Sequence, residues 1–140
     1  MSDKFFLDTN VFAYRFDEGA PEKKRRSADL IRHALATNEG VISFQVVQEF
    51  MSLAFRRFQP PLSSTEAEQF LAMTLGPLLA VQSSHVLYWQ ALHLSRRHSL
   101  SWYDSLIVAA ALEADCRILY TEDLQHNQKF DTLRVQNPFL

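Results

Sequence analysis

The chain has 140 residues, of which 47% are hydrophobic and 12% aromatic, so it suits one domain with a single core and excludes disorder over most of its length. The formal net charge of −2 does not by itself indicate a nucleic-acid-binding protein, and 3 glycines leave no glycine-rich phosphate loop. A single cysteine, Cys116, permits no internal disulfide, and no apolar run is long enough to cross a membrane. We therefore expect residues 1–140 to form one domain of a soluble cytoplasmic protein.

Short apolar strands alternate with helices along the chain. Strands are predicted at 4–7, 41–43, 78–81, 118–120 and 133–135, and helices at about 11–14, 22–36, 44–58, 63–76, 85–97 and 102–115. Residues 121–130 are predicted to be a polar loop. This alternation predicts an α/β fold with a parallel sheet, in which ligands bind beyond the carboxyl ends of the strands.

Four acidic residues occupy positions that need explaining: Asp8, Glu49, Asp104 and Asp123. Asp8 and Asp123 each follow a predicted strand, Asp104 opens a predicted helix, and Glu49 lies within the apolar stripe of another. Carboxylates brought together repel one another, so a fold that gathers these four should gather them around a cation. An all-oxygen site favours Mg²⁺ or Mn²⁺ over zinc.

Each acid also has an ordinary structural explanation. Asp8 could cap the helix after it, and Asp104 could complete a capping box with Ser101. Asp123 could be a turn residue, and Glu122 beside it competes for the same role as a metal ligand. Glu49 is harder to dismiss, because a carboxylate in an apolar stripe must find a partner or reach a cleft.

Polar and basic residues extend the pattern. Thr9, Asn10 and Thr121 adjoin the acids and could support them by hydrogen bonding, although cap and turn roles explain them equally well. Basic residues form clusters that could bind phosphates, of which the best candidates are Lys23, Lys24, Arg25, Arg26, Arg96 and Arg97. Taken singly, each cluster is also explained as a solvated helix face.

Four segments together resemble the PIN-domain ribonucleases, and most closely the VapC-type toxins of bacterial toxin–antitoxin pairs. They are FLDTNV at residues 6–11, QEF at 48–50, WYDSLIVAAA at 102–111 and LYTEDL at 119–124. The last segment departs from the family pattern, in which another acid follows soon after the aspartate, since Leu124, Gln125 and His126 follow here.

The resemblance implies a three-layer α/β/α sandwich with a short parallel sheet and Mg²⁺- or Mn²⁺-dependent cleavage of RNA. Carried over by motif, Asp8, Glu49, Asp104 and Asp123 would be the catalytic and metal-binding acids, supported by Thr9, Asn10 and Thr121. The resemblance also implies a homodimer and a VapB-type antitoxin as partner. A homodimer would in addition account for Phe50, Phe55, Phe58 and Trp89, which exceed what one helix face readily buries.

Other assignments fit less well. A haloacid-dehalogenase-type phosphoryl-transfer fold would require a second aspartate where Asn10 stands, and the acids and late lysine of a receiver domain are not evident. The remaining alternative is a PIN-like module that binds RNA or protein without cleaving it. The presence of all four acids argues against that alternative, and a metal-dependent cleavage assay separates the two.

Overall fold

A computed structural model describes residues 2–140, which contain a six-stranded sheet with the strand order β3-β2-β1-β4-β6-β5. The strands are β1 (Phe5–Leu7), β2 (Gly40–Ser43), β3 (Leu79–Val81), β4 (Ile118–Tyr120), β5 (Lys129–Phe130) and β6 (Leu133–Gln136). All neighbouring pairs are parallel except β5 with β6, which is antiparallel. The five predicted strands are therefore present, whereas the end of the predicted polar loop 121–130 forms the edge strand β5.

Seven α-helices accompany the sheet within residues 2–140. They are α1 (Thr9–Tyr14), α2 (Pro21–Thr37), α3 (Phe44–Arg56), α4 (Ser64–Phe70), α5 (Gly76–Leu78), α6 (His85–His98) and α7 (Trp102–Glu113), and a π-helical turn (Leu71–Leu75) joins α4 to α5. Helix α1 contacts both α2 and α3, and α6 packs closely on α7. The result is the expected three-layer α/β/α sandwich.

Strand β1 lies at the centre of the sheet and decides where a site can form. After β1 the chain adds β2 and β3 on one side, and later β4 and β6 on the other. Every residue of β1 is buried, as expected for a parallel strand covered on both faces. The gap between the carboxyl ends of β1 and β4 is therefore the switch point at which ligands bind in sheets of this kind.

Gly40 allows helix α2 to pack directly on the sheet. A Cβ atom at this position would lie 2.2 Å from Ala34 Cβ and 2.9 Å from a ring carbon of Phe5. Glycine is required here so that α2 can approach β2 closely, and not to allow a left-handed backbone conformation. That conformation belongs to Asn38, the residue that ends α2, with φ 58°.

An aromatic cluster corrects one part of the sequence interpretation. Phe50 is completely buried, and its ring lies 4.8 Å from that of Phe70 and 5.8 Å from that of Phe58, measured between centroids. Phe50 and Phe58 are thus core residues and do not indicate a dimer. Phe55 and Trp89 remain exposed by 46% and 57% respectively.

Two other sequence expectations concern single features. Cys116 is buried, and burial raises the pKa of its thiol to about 12, as expected for a small hydrophobic residue. Within residues 2–140, no helix combines the length and apolar character needed to cross a membrane.

Candidate functional site

Asp8 stands at the carboxyl end of the central strand and is almost fully buried. It is the N-cap of α1, and its Oδ1 accepts a hydrogen bond from the Thr9 backbone N–H at 2.7 Å. Its Oδ2 accepts one from the Thr121 hydroxyl at 2.8 Å, across from the end of β4. The capping explanation is therefore correct but incomplete, since half of the carboxylate faces the neighbouring strand end.

Glu49 is brought to the same place by helix α3. The Thr9 hydroxyl donates to Glu49 Oε1 at 2.8 Å, so the half-buried carboxylate at the edge of the apolar stripe has a partner. Thr9 consequently links the two acids, with its backbone bonded to Asp8 and its side chain bonded to Glu49.

Asp123 joins the site, and Glu122 turns away from it. The Asp123 backbone N–H donates to the Thr121 hydroxyl at 3.1 Å, and Asn10 Nδ2 lies 3.4 Å from both Asp123 carboxylate oxygens. Glu122 instead accepts hydrogen bonds from the Tyr14 hydroxyl at 2.5 Å and from the Lys23 ammonium at 3.2 Å. Of the two neighbouring acids, Asp123 is the one whose carboxylate faces the acidic cluster.

Asp104 is not consumed by a capping box. The Ser101 hydroxyl accepts from the Asp104 backbone N–H at 3.2 Å, but within residues 2–140 the Asp104 carboxylate makes no reciprocal hydrogen bond. Gln45, one turn before Glu49, donates to the Tyr103 carbonyl at 3.2 Å and thereby ties the start of α7 to α3. The Asp104 charge raises the pKa of Asp123, which places these two carboxylates within electrostatic range of each other.

The site carries excess negative charge that is partly buried. Burial raises the pKa of Asp8 to about 7, the hydrogen bonds from Thr121 and Thr9 oppose this, and the charges of Asp123 and Glu49 add to it. Burial also raises the pKa of Asp123, with further increases from the charges of Asp104, Glu122 and Glu49. Mutual repulsion thus contributes to both pKa shifts, but burial is the larger cause.

The donor set suits a hard divalent cation. Asp8, Thr9, Asn10, Glu49 and Asp123 line a cleft of about 260 Å³, together with Ser52 and Leu53. Within residues 2–140 no three acidic, histidine or cysteine side chains form a ready-made ion cage. Mg²⁺ does not need one, because it retains several waters and is commonly held by one or two carboxylates.

Among the predicted phosphate-binding residues, Lys23 is the one tied to a neighbour of the acids, through Glu122. Its ammonium also lies 4.6 Å from the centre of the Tyr14 ring, a cation–π contact. The others are engaged elsewhere or exposed: Lys24 pairs with Glu18, Arg26 donates to the Pro138 carbonyl, and Arg25, Arg96 and Arg97 lie at the surface, none of them lining the acidic cleft.

Three contributors were missed by the sequence interpretation, namely Tyr14, Ser52 and Gln45. Helical spacing could have identified them, since Tyr14 lies four residues after Asn10, and Gln45 and Ser52 lie four before and three after Glu49. Their partners could not have been deduced, because Glu122 and Tyr103 come from distant parts of the chain.

Comparisons with known proteins agree on the fold. The family model described as "PIN domain" matches residues 5–129. No curated protein sequence matches the chain.

Solved structures with the same fold include components of toxin–antitoxin complexes. A toxin–antitoxin complex from Klebsiella pneumoniae matches with 20% identity and a TM-score of 0.64, covering 96% of this chain and 98% of that one. The sarcin–ricin-loop-cleaving toxin VapC20 of Mycobacterium tuberculosis matches with 22% identity and a TM-score of 0.60, covering 86% and 90%. VapBC2 from Rickettsia felis, bound to promoter DNA, matches with 15% identity and a TM-score of 0.63, covering 94% and 96%.

The family match spans most of the chain, from β1 into β5, and includes all four acids of the cluster. In the structure, the matched region contains the sheet, with β1 near its centre and the acids at the strand ends. The chain belongs to the PIN-domain family.

Proposed function

We propose that the protein is a metal-dependent endoribonuclease in which Asp8, Glu49, Asp104 and Asp123 hold a divalent cation, Mg²⁺ or Mn²⁺. The observation that carries this proposal is the hydrogen-bonded and electrostatically coupled group of carboxylates at the β1–β4 switch point. Such a group is costly to bury without a cation. Family membership supports a nuclease rather than another use of the same acids.

The side chains have distinct tasks in this proposal. Asp8 and Asp104 would be direct ligands, whereas Glu49 and Asp123 would coordinate directly or through water. When bound, the cation would supply a Lewis acid for the scissile phosphate and an acidified water as nucleophile. Thr9, Asn10 and Thr121 would keep the carboxylates oriented, as their present hydrogen bonds already do. The products would carry 5′-phosphate and 3′-hydroxyl ends.

The test compares purified wild-type protein with Asp8→Asn and Asp104→Asn on a mixed RNA substrate. Both variants should lose cleavage while they keep the folded far-UV spectrum, and chelation should abolish wild-type cleavage until Mg²⁺ or Mn²⁺ is restored. Asp131→Asn is the matched control, because Asp131 is an exposed turn residue with φ 54°, a conformation that asparagine tolerates. Cleavage by Asp8→Asn at the wild-type rate, or cleavage that survives chelation, contradicts the proposal and favours a non-catalytic binding module.

The proposed biological role is that of a toxin restrained by a VapB-type antitoxin. The structural neighbours that come from toxin–antitoxin complexes support this role. An antitoxin segment with a basic side chain could pair with the acidic cluster and compete with metal or RNA. We also propose a homodimer, for which the exposed Phe55 and Trp89 are the remaining support.

Expression in the native host tests the toxin role. Wild-type protein should arrest growth, Asp8→Asn should not, and co-expression of an antitoxin encoded by a neighbouring gene should relieve the arrest. Harmless expression of folded wild-type protein would contradict the toxin role without affecting the nuclease assay. Sequencing of RNA after brief induction would identify the substrate.

A further inference from the structure

The acidic cleft continues into a second, larger cleft. The second cleft has a volume of about 500 Å³, and the two share Asn10 and Leu53 as lining residues. Arg57 and the half-buried rings of Phe16 and Phe58 also line the second cleft. A ligand whose phosphate is bound at the acids could therefore extend into a cleft that is lined by an arginine and two aromatic rings.

Two helix faces build the walls of this joined groove. On α3, Glu49 and Leu53 are four residues apart and share a face, and Arg57, the C-cap of the helix, follows four residues after Leu53. Arg57 is eight residues beyond Glu49, about 12 Å along the axis at 1.5 Å per residue. On α1, Asn10 and Tyr14 face the groove at the same spacing. The order along the groove, from acids to arginine, thus follows from helical geometry.

Arg57 is free to bind an anion. Its backbone N–H is used to end α3 by bonding the Leu53 carbonyl at 2.8 Å. Within residues 2–140 its guanidinium makes neither an ion pair nor a hydrogen bond. Of the two acids that line the same cleft, Glu18 pairs with Lys24 and the Asp17 carboxylate accepts the Gly19 N–H, and neither pairs with Arg57.

We propose that the joined groove is a subsite for the nucleotide next to the scissile phosphate, with Arg57 binding that nucleotide's own phosphate and the rings of Phe16 and Phe58 facing its base. Guanidinium groups match phosphate geometry, and unpaired bases stack on aromatic rings. The inference rests on the proposed nuclease function. Paired RNA would not fit, because its base is not free to enter the groove.

The experiment measures binding of single-stranded RNA oligonucleotides to the Asp8→Asn protein by fluorescence anisotropy over a range of salt concentrations. Arg57→Ala is compared with Arg56→Ala, which removes an exposed arginine from the same helix end that does not line the groove. Arg57→Ala should weaken binding by about fivefold to tenfold. It should also reduce the slope of log affinity against log salt by about 0.7, the value for one phosphate contact on a single strand.

Shortening the oligonucleotide provides the second readout. The Arg57 effect should disappear when the RNA is trimmed from one end and persist when it is trimmed from the other, because the groove leaves the acids in one direction. Equal effects of Arg57→Ala and Arg56→Ala, or an Arg57 effect independent of which end is trimmed, overturn the subsite. These results differ from failure of the nuclease proposal, in which wild-type cleavage would be absent or independent of Asp8.

Discussion

Replacing Asp8 by asparagine should make the metal-free protein more stable at alkaline pH, although it should abolish activity. Burial raises the pKa of Asp8 from the ordinary 3.8 to about 7 in the folded state. Between these values the folded chain keeps the Asp8 proton, whereas the unfolded chain releases it. The unfolded state therefore binds fewer protons, and the free energy of unfolding falls as the pH rises through this window.

The size of the effect follows from the same two pKa values. At 1.36 kcal/mol per pKa unit, the Asp8 contribution should destabilise the fold by about 2 kcal/mol at pH 5 and by about 4 kcal/mol at pH 8. Asparagine carries no charge at either pH, but it has one acceptor oxygen where Asp8 has two, so it cannot accept from both the Thr9 N–H and the Thr121 hydroxyl, which costs about 1 to 2 kcal/mol. The net gain at pH 8 should be about 2 to 3 kcal/mol, and near pH 5 it should vanish.

The assay is urea unfolding in the presence of a chelator at several pH values between 5 and 8. The difference between Asp8→Asn and wild type cancels the titration of groups that are not coupled to Asp8 and should grow by about 2 to 3 kcal/mol across this range. Asp131→Asn, in an exposed turn, should show no such growth. A variant that is less stable than wild type at pH 8, or a difference independent of pH, would refute the conclusion that the buried Asp8 charge destabilises the fold.

Metal binding should make wild type more stable than Asp8→Asn at pH 8, the reverse of the order without metal. Because a ligand must be deprotonated, Mg²⁺ binding to wild type should release a proton, and the apparent affinity should fall by about tenfold for each pH unit below 7. Wild type should gain stability from Mg²⁺ at pH 8, whereas Asp8→Asn should gain little. The same unfolding curves, repeated with Mg²⁺ in place of chelator, measure both effects.

Three further predictions concern residues around this site and the core. Thr121→Val removes the hydroxyl whose hydrogen bond lowers the pKa of Asp8, so that pKa should rise further. The free energy of unfolding should fall by about 2 kcal/mol, and by more at pH 8 than at pH 5. Equal losses at the two pH values would contradict this. Gly40→Ala places a Cβ atom 2.2 Å from Ala34 Cβ and should cost about 1 to 3 kcal/mol in urea unfolding, and a neutral result would show that α2 moves freely. Cys116, with its pKa raised to about 12, should resist thiol reagents until urea unfolds the chain, and rapid labelling of native protein would contradict its burial.

The sequence by itself determined the elements and the positions of the acids along them. Apolar runs too short for helices predicted the strands, and 3.6-residue periodicity predicted the helices, because these patterns follow from local backbone geometry. Asp8 and Asp123 could be placed at strand ends, and the parallel arrangement followed from the alternation of elements. The edge strand β5 was missed because two residues carry no periodic pattern.

Only the tertiary structure decided which acids face one another. That Asp123 rather than Glu122 faces the other acids depended on Tyr14 and Lys23, which lie about a hundred residues earlier in the chain and bond Glu122. The raised pKa of Asp8 depended on its burial in the folded chain, which no local pattern reports. Likewise, Phe50 became a core residue because Phe58 and Phe70 cover it. The bonds to Glu122 join residues about a hundred positions apart, and the rings that cover Phe50 lie eight and twenty positions after it, so the folded chain rather than any local pattern sets these contacts.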